Sequence, residues 1–344
     1  MKAPRVGRTL NRPLSPLRVA GASLVMGLLL VGVGSAALLL GTAEITWTQI
    51  LGLMSGSTEV SEATRLIVLE IRLPRILLAG LVGYALAPGG VVFQALLRNP
   101  LADPFILGVS SGSAFGAILG ISLGLGFHLG VPLLSFAGAL ATVLLLIVIG
   151  ARRMGVESST ILLTGVIINA FFTALIMFLI SIAADAKLHS MLFWLYGDLS
   201  QSEYRQAALI APVILLATLV QYGLSLHLNL LTAGEDTALQ LGVDVRTTKL
   251  LLILAVSVLV GSVVAFSGLI GFVGLIVPHL ARMAVGSDHR LLIPVAALGG
   301  AAFLIAADTL ARTLLSPSEL PVGVISAFLG APFFIYLLRT RGSG

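Results

Sequence analysis

Long apolar runs, each closed by a short polar or Gly/Pro stretch, recur from one end of the chain to the other. They lie at 18–41, 74–97, 106–126, 132–151, 160–183, 206–223, 247–267, 273–285, 291–314 and 323–339. A helix needs about 20 apolar residues to cross a bilayer. The pattern therefore predicts an all-α polytopic membrane protein with about ten transmembrane helices. The run at 273–285 is too short to cross as an ordinary lipid-exposed helix. Polar connections fall at 42–73, 184–205 and 224–246, and no hydrophilic stretch is long enough for a separate soluble domain. Residues 1–344 thus read as one transmembrane domain, with 1–17 as an N-terminal tail.

One apolar stretch differs from the others. Gly268-Leu-Ile-Gly-Phe-Val-Gly-Leu-Ile-Val-Pro-His-Leu-Ala-Arg282 is broken by glycines and a proline and carries His279 and Arg282. Breaks and charges at membrane depth are tolerated only where protein or a water-filled path covers them. The chain is thus expected to surround something rather than to act as a passive anchor.

Composition supports the membrane reading: 58% of the 344 residues are hydrophobic and 10% are charged. The net charge of +5 is not a nucleic-acid signal, because the basic residues sit at segment ends rather than in one patch. There is no cysteine, which excludes disulfides and Cys-based metal or redox sites. Lys2, Arg5, Arg8, Arg12 and Arg18 precede the run Val19–Gly41. That run is long for a signal peptide, although Gly34-Ser-Ala-Ala37 has cleavage-site character, so an uncleaved first span is expected. With an even number of spans, the N-terminal cations lie on the same side as Arg98, Arg152, Arg153, Arg246, Lys249, Arg290, Arg339 and Arg341. The positive-inside rule makes that side cytoplasmic.

Several motifs bear on chemistry. Gly108-Val-Ser-Ser-Gly112 matches a nucleophile-elbow pattern, which raises an intramembrane serine hydrolase. Yet Gly108, Gly112, Gly116, Gly120 and Gly124 continue the series at a spacing of four, which is the signature of close helix packing. Asp308 and Arg312 share a helix face four residues apart and can neutralise each other. A proton-coupled secondary transporter would ordinarily carry more than one acidic site in its core. Arg72 and Arg75 flank Leu73-Pro74 on the predicted outer side. They either snorkel or pair with Glu70, or they form a positive rim for an acidic partner. Asn99-Pro-Leu-Ala-Asp-Pro104 is a stiff turn. Gly234-Glu-Asp-Thr-Ala-Leu-Gln-Leu-Gly242 reads as a short capped helix or an ordered loop, with Glu235 and Asp236 in its first turn. No P-loop and no H-E-x-x-H occurs, and the five histidines are scattered, so neither a catalytic nor a metal site is expected.

Taken together, several blocks resemble the FecCD/BtuC permease family, the membrane subunits of ABC importers for ferric siderophores, haem and cobalamin. They are Arg72-Leu-Pro-Arg75, Gln94 to Pro104, Leu107 to Gly112, Gly271 to His279, Asp308 to Arg312, Glu319 to Gly323 and Leu329 to Phe333. The resemblance implies a type II ABC importer permease fold working as a homodimer in the inner membrane. Two cytoplasmic ATPase subunits and a periplasmic or lipid-anchored substrate-binding protein would complete it. This chain would bind no cofactor, ATP and Mg belonging to the partner ATPase. Gly234, Glu235, Asp236, Ala238, Leu239, Leu241 and Gly242 would form the coupling helix within the cytoplasmic loop 224–246. Arg72, Arg75 and Arg312 would meet carboxylates of the binding protein. Asn99, Leu101, Ser158 and Ser159 would belong to a cytoplasmic gate, and the substrate path would run at the dimer axis, largely along the fifth span. Ala87-Pro-Gly-Gly90 departs from the small residues usual there, and Pro88 should kink the second span.

Overall fold

The computed structural model describes residues 15–56, 60–151 and 158–341. Among the described residues every regular element is helical. In chain order the helices are α1 (Pro16–Leu39), α2 (Trp47–Met54), α3 (Glu62–Leu66), α4 (Leu73–Leu96), α5 (Val109–Ser122), α6 (Gly130–Ala151), α7 (Ser158–Ser181) and α8 (Asp185–Tyr196). They continue as α9 (Tyr204–Gly223), α10 (Ser225–Ala233), α11 (Glu235–Gln240), α12 (Val245–Ser267), α13 (Val273–Val285), α14 (His289–Thr313) and α15 (Val322–Arg341).

All ten apolar runs are helices. Seven helical stretches are long and apolar enough to cross a membrane: α1, the continuous α3–α4 rod, α6, α7, α9, α12 and α14. The shorter apolar helices are α5, α13 and the Val322–Tyr336 part of α15. The third run is shorter than its composition suggests. Pro104–Leu107 forms a tight 3-10 turn, Gly108 is left-handed at φ 78°, and Gly124 is left-handed at φ 74° just past the other end. Basic residues Arg98, Arg246, Lys249 and Arg290 fall at the end of the bundle where α1 begins and α15 finishes.

Helix α4 is the axis. Of its spanning window 78% is buried, against 22% for α7 and 6% for α1. It packs on α14, α13, α12 and α9, while α5 packs on α6 and α7. Between membrane helices there is no hydrophobic driving force, so contact depends on close approach of small residues. A Cβ on Gly83 would collide with the Gly300 carbonyl, and one on Gly90 with the Gly274 carbonyl. The glycine series of α5 does the same work against α6, where Gly112 meets Gly138 and Gly116 meets the Leu134 carbonyl. Ser113 and Ser135 add a hydrogen bond of 2.7 Å across that seam. Pro88 lies inside α4 and is buried, and the helix continues through it to Leu96.

The unusual stretch near the C-terminal end resolves into a break. Helix α12 stops at Gly268 (φ 67°), residues 268–272 are non-helical, and Phe272 stands at φ 70° before α13 starts. Crossing elements cover it. Gly268 abuts the Trp194 carbonyl, Gly323 abuts the Leu269 carbonyl, and Gly330 abuts the Phe272 ring. Backbone groups freed nearby are bonded in trans, Asp198 N to Ser267 O at 3.0 Å and Gly323 N to Gly197 O at 3.3 Å. The break is thus enclosed by α8 and α15 rather than by lipid.

Gly83→Ala and Gly90→Ala should each cost about 1–3 kcal/mol, as overpacking at a helix seam does. Gly21→Ala, where a Cβ meets nothing within 4 Å, should leave stability unchanged or slightly raised. Thermal unfolding in detergent would check both, and equal midpoints for all three variants would contradict the glycine-seam account.

Candidate functional site

Two clusters of polar side chains stand at opposite ends of α4. The first joins α4, α14 and the loop before α15. Arg75 Nε donates to both carboxylate oxygens of Asp308 at 3.0 Å, and Arg75 Nη1 donates to Glu319 Oε2 at 2.6 Å. Arg312 Nε lies 3.3 Å from Asp308 Oδ2, the i,i+4 pairing expected from sequence. Arg312 Nη2 donates to Ala37 O at 3.2 Å, which ties α1 to α14. Arg72 pairs not with Glu70 but with backbone: its guanidinium donates to Leu38 O (2.6 Å), Leu39 O (3.0 Å) and Ala43 O (2.7 Å). It thus satisfies carbonyls left open at the end of α1, where a cation also meets the negative end of the helix dipole.

The structure therefore brings Arg72, Arg75 and Arg312 together, as the sequence motifs suggested, but it does not leave them on an open rim. They are 3%, 3% and 6% exposed, and Asp308 is 1% exposed. Only Glu319, with 42% of its side chain exposed, reaches solvent. Arg75 and Arg312 meet the two carboxylates while Arg72 stands on the α1 carbonyls beside them, so three cations are gathered with two carboxylates, a surplus of one positive charge. The part of Glu319 was not foreseen from sequence. It follows a turn at Ser318 and carries no helical periodicity that would have aimed it at Arg75.

The second cluster surrounds α10 and α11. Gly234 (φ 143°) and Gly242 (φ 83°) bracket α11, and each takes a conformation that L side chains rarely adopt. Ala238 is fully buried, and Val243 N closes the turn on Ala238 O at 3.0 Å. Leu239 and Leu241 point outward at 56% and 62% exposure, and Asp236 is exposed beside them. Glu235 faces inward, 2.7 Å from Lys249 Nζ on α12 and 3.7 Å from Arg98 Nη2. Arg98 also donates to Leu231 O at 3.2 Å. The knob is thus fastened to α12 and to the loop that follows α4. Asn229 of α10 completes the mounting: it donates to Asp288 Oδ1 at 2.9 Å and accepts from His289 N at 3.0 Å. Arg290 holds the Asp288 carboxyl down to about 2.

Between the knob and the membrane lies the stiff turn. Asn99 Oδ1 accepts from Leu101 N at 2.9 Å, and Asp103 Oδ1 accepts from Phe105 N at 2.8 Å. Leu101 is exposed. The Asp103 carboxylate points inward beside Gly274, and burial pushes its pKa up to about 6 against the pull of the Phe105 N–H. Gln94 explains how Arg282 is tolerated: it donates to Gly274 O at 3.2 Å and accepts from Arg282 Nη2 at 2.9 Å. Ser158 and Ser159 open α7, and their side chains lie outside the described residues. Ser110 is buried at the start of α5, and its Oγ has no hydrogen-bond partner. The nucleophile–base pair and the strand-turn-helix elbow of a serine hydrolase are both missing there.

Among the described residues, seven spanning-length apolar helices and three shorter ones, with an enclosed break and a mounted knob at one end, describe a multi-pass membrane protein. The chain belongs to the FecCD transport family, which matches residues 28–340. It is 45% identical over 282 residues to the cobalamin import system permease protein BtuC of Halobacterium salinarum, covering 82% of this chain and 76% of that one. It is 41% identical over 341 residues to the hemin transport system permease protein HmuU of Yersinia pestis, covering 96% and 98%. A solved structure described as an inward-facing metal-chelate type ABC transporter superposes with a TM-score of 0.84 at 34% identity, covering 93% of this chain and 99% of that one. The chain is accordingly an ABC transporter permease subunit and not an enzyme. ATP hydrolysis resides on a separate subunit.

Asp308→Asn should destabilise the protein by about 3–5 kcal/mol, because it leaves Arg75 and Arg312 buried without their shared anion. Glu319→Gln should cost about 1 kcal/mol or less, its carboxylate being partly in water. Thermal unfolding in detergent distinguishes the two, and similar losses would mean that Asp308 does not anchor the cluster. A second expectation concerns pH. Asp103 titrates near 6 when folded and near 3.9 when unfolded, so the folded state holds the extra proton between those values. Stability then falls as pH rises from about 4 to 6. Asp103→Asn, which keeps an acceptor for Phe105 N, should flatten that slope, and an unchanged profile would reject the assignment.

Proposed function

We propose that this chain is the permease of a binding-protein-dependent importer that carries an iron chelate (ferric siderophore or haem) or cobalamin across the inner membrane by ATP-driven alternating access. The observation that carries the reading is α11 with its C-cap, a short helix that exposes Leu239, the capping Leu241 and Asp236 while its inward glutamate is clamped to α12 and to Arg98. A helix that must only close a loop has no need to expose Leu239 and Leu241. One that seats in a cleft of another protein does. The family and the printed names of the relatives support the cargo class.

In this reading the whole chain is one transmembrane permease domain and two copies form a homodimer. Each copy is served by a cytoplasmic ATPase that binds ATP and Mg, and a periplasmic or lipid-anchored binding protein delivers the ligand. Both termini and loop 224–246 are cytoplasmic. Gly234 to Gly242 is the coupling helix. Its motion reaches the turn at Asn99 and Leu101 through Arg98, and this turn with Ser158 and Ser159 forms the cytoplasmic gate. At the other end, the one-charge surplus of Arg72, Arg75 and Arg312 over Asp308 and Glu319 attracts carboxylates of the binding protein, which can exchange with the partly exposed Glu319 on Arg75. Supporting this is the position of Glu319, the member of the cluster that solvent reaches.

The test is co-purification from native membranes in mild detergent, followed by ATPase and uptake assays in proteoliposomes. The unsubstituted chain should bring down an ATPase. Leu239→Asp combined with Leu241→Asp should lose it, and Glu235→Arg should retain it yet separate ATP hydrolysis from uptake. An unsubstituted chain that captures no ATPase, or that drives uptake from a proton gradient without ATP, would return the protein to the secondary transporters.

A further inference from the structure

We propose that α2 is a membrane-seating helix, with Trp47, Leu51 and Met54 inserted at the boundary between the headgroups and acyl chains of the leaflet beside it. The inference is independent of the importer reading above. Helix α2 is Trp47-Thr-Gln-Ile-Leu-Gly-Leu-Met54 and carries no charged residue. A capping box of Thr46 and Gln49 starts it, Thr46 N donating to Gln49 Oε1 at 2.9 Å. Trp47, Leu51 and Met54 recur at i, i+4 and i+7, so they share one side of the helix. All three are exposed, and Thr48 is the one other exposed residue of α2. The opposite side is closed. Ile50 is buried with Ile45 and Val68, and Leu38, Leu39 and Leu53 pack against them.

Position decides what covers that stripe. At 1.5 Å per residue the 24 residues of α1 span about 36 Å, against about 30 Å of hydrocarbon. The end of α1 at Leu39 therefore reaches a membrane boundary, and α2 is fastened there. Leu38 and Leu39 belong to the small core beneath α2. The Arg72 guanidinium holds the linker through Leu38 O, Leu39 O and Ala43 O. Gly41 leaves room for this clasp, since a Cβ there would strike the guanidinium. The neighbouring surface faces the bilayer. Only 6% of the spanning window of α1 is buried, and the helix exposes Leu24, Val25, Leu28, Leu29 and Val31 over successive turns, with Leu40 at its cap.

The residue types fit a lipid boundary. Tryptophan is enriched at membrane interfaces, where its ring is buried while its indole N–H stays wet. Leu51 and Met54 extend the apolar side, and an amphipathic helix of this kind lies with that side in the boundary. With no Lys or Arg, α2 gains nothing from anionic headgroups, so its contact is with the apolar boundary that all phospholipids share. The same stripe turned to water would be an aggregation liability. Seating α2 in the leaflet also fixes the linker that Arg72 clasps, and through Arg72 it sets the depth at which α4 begins.

The test uses fluorescence. The chain has two tryptophans, and Trp194 is buried. Trp194→Phe makes Trp47 the sole emitter. Where that variant folds poorly, the difference between the unsubstituted chain and Trp47→Phe supplies the same signal. The full chain is reconstituted in phosphatidylcholine vesicles brominated either near the glycerol end or near the methyl end of the acyl chains. We expect the shallow bromines to quench Trp47 about twice as strongly as the deep ones, as insertion by about 5–10 Å requires, and aqueous iodide to quench it little. Leu51→Asp lies on the exposed side, so the chain should fold as before while Trp47 moves toward water, losing bromine quenching and gaining iodide quenching. Four results overturn the inference. Strong iodide quenching without bromine quenching would leave the stripe in water. Quenching by neither would put a second copy or another protein over it. Stronger quenching by the deep bromines would make α2 part of a span. An unchanged bromine pattern in Leu51→Asp would mean that Trp47 meets lipid by some route other than this stripe.

Discussion

Hydrocarbon offers a backbone nothing to bond with, so any departure from regular helix inside the membrane must be closed by the protein itself. This chain makes such a departure at 268–272, and much of its architecture answers to it. Helix α8 and the start of α15 lie against the break, glycines at 197, 323 and 330 let them approach, and crossing backbone bonds take up the freed groups. Gln94 then reaches from α4 to hold the first turn of α13 and Arg282 together. A continuous helix at this place would need none of these neighbours.

The same constraint orders the charges. Arg75, Asp308 and Arg312 are buried, and each is tolerable only because the others are there. Removing one partner is costly while exchanging a partly wet one is cheap, which is why Glu319 and Asp308 differ in kind although both bond Arg75. At the far end Lys249 is equally buried and is matched by Glu235. Each end of the bundle is thus held by a small ion network, and α4 runs between them as one rigid, mostly buried rod.

A rod of this sort suits an ABC transporter permease. Arg75 near its start and Arg98 just past its end connect it to the loop before α15 and to the α10–α11 mount. The glycine seams with α14 and α13 allow close packing without interlocked large side chains, a contact that transmits displacement over short distances. The contrast with α7 is informative. That helix has little cover from its own chain, and its exposed surface is where a second copy, lipid or a passage must make up the difference.

Much of this was legible in order along the chain. The ten apolar runs, the irregular stretch after Gly268, the i,i+4 pair Asp308 and Arg312, and the small-residue spacing from Gly108 to Gly124 are local patterns, and local patterns fix helices and their faces. Arg72 and Arg75 show the limit. Sequence marks them as misplaced cations, but whether they snorkel, dock or bury depends on Asp308, Glu319 and the end of α1, which lie far away in the chain. The inward clamp of Glu235 and the bridging role of Gln94 are hidden for the same reason. Hydropathy thus determined that the chain crosses a membrane and where its helices fall, because burial in lipid depends on each segment's own composition. The tertiary structure alone decided which polar groups are satisfied, because a hydrogen bond at membrane depth depends on which segment lies next to it.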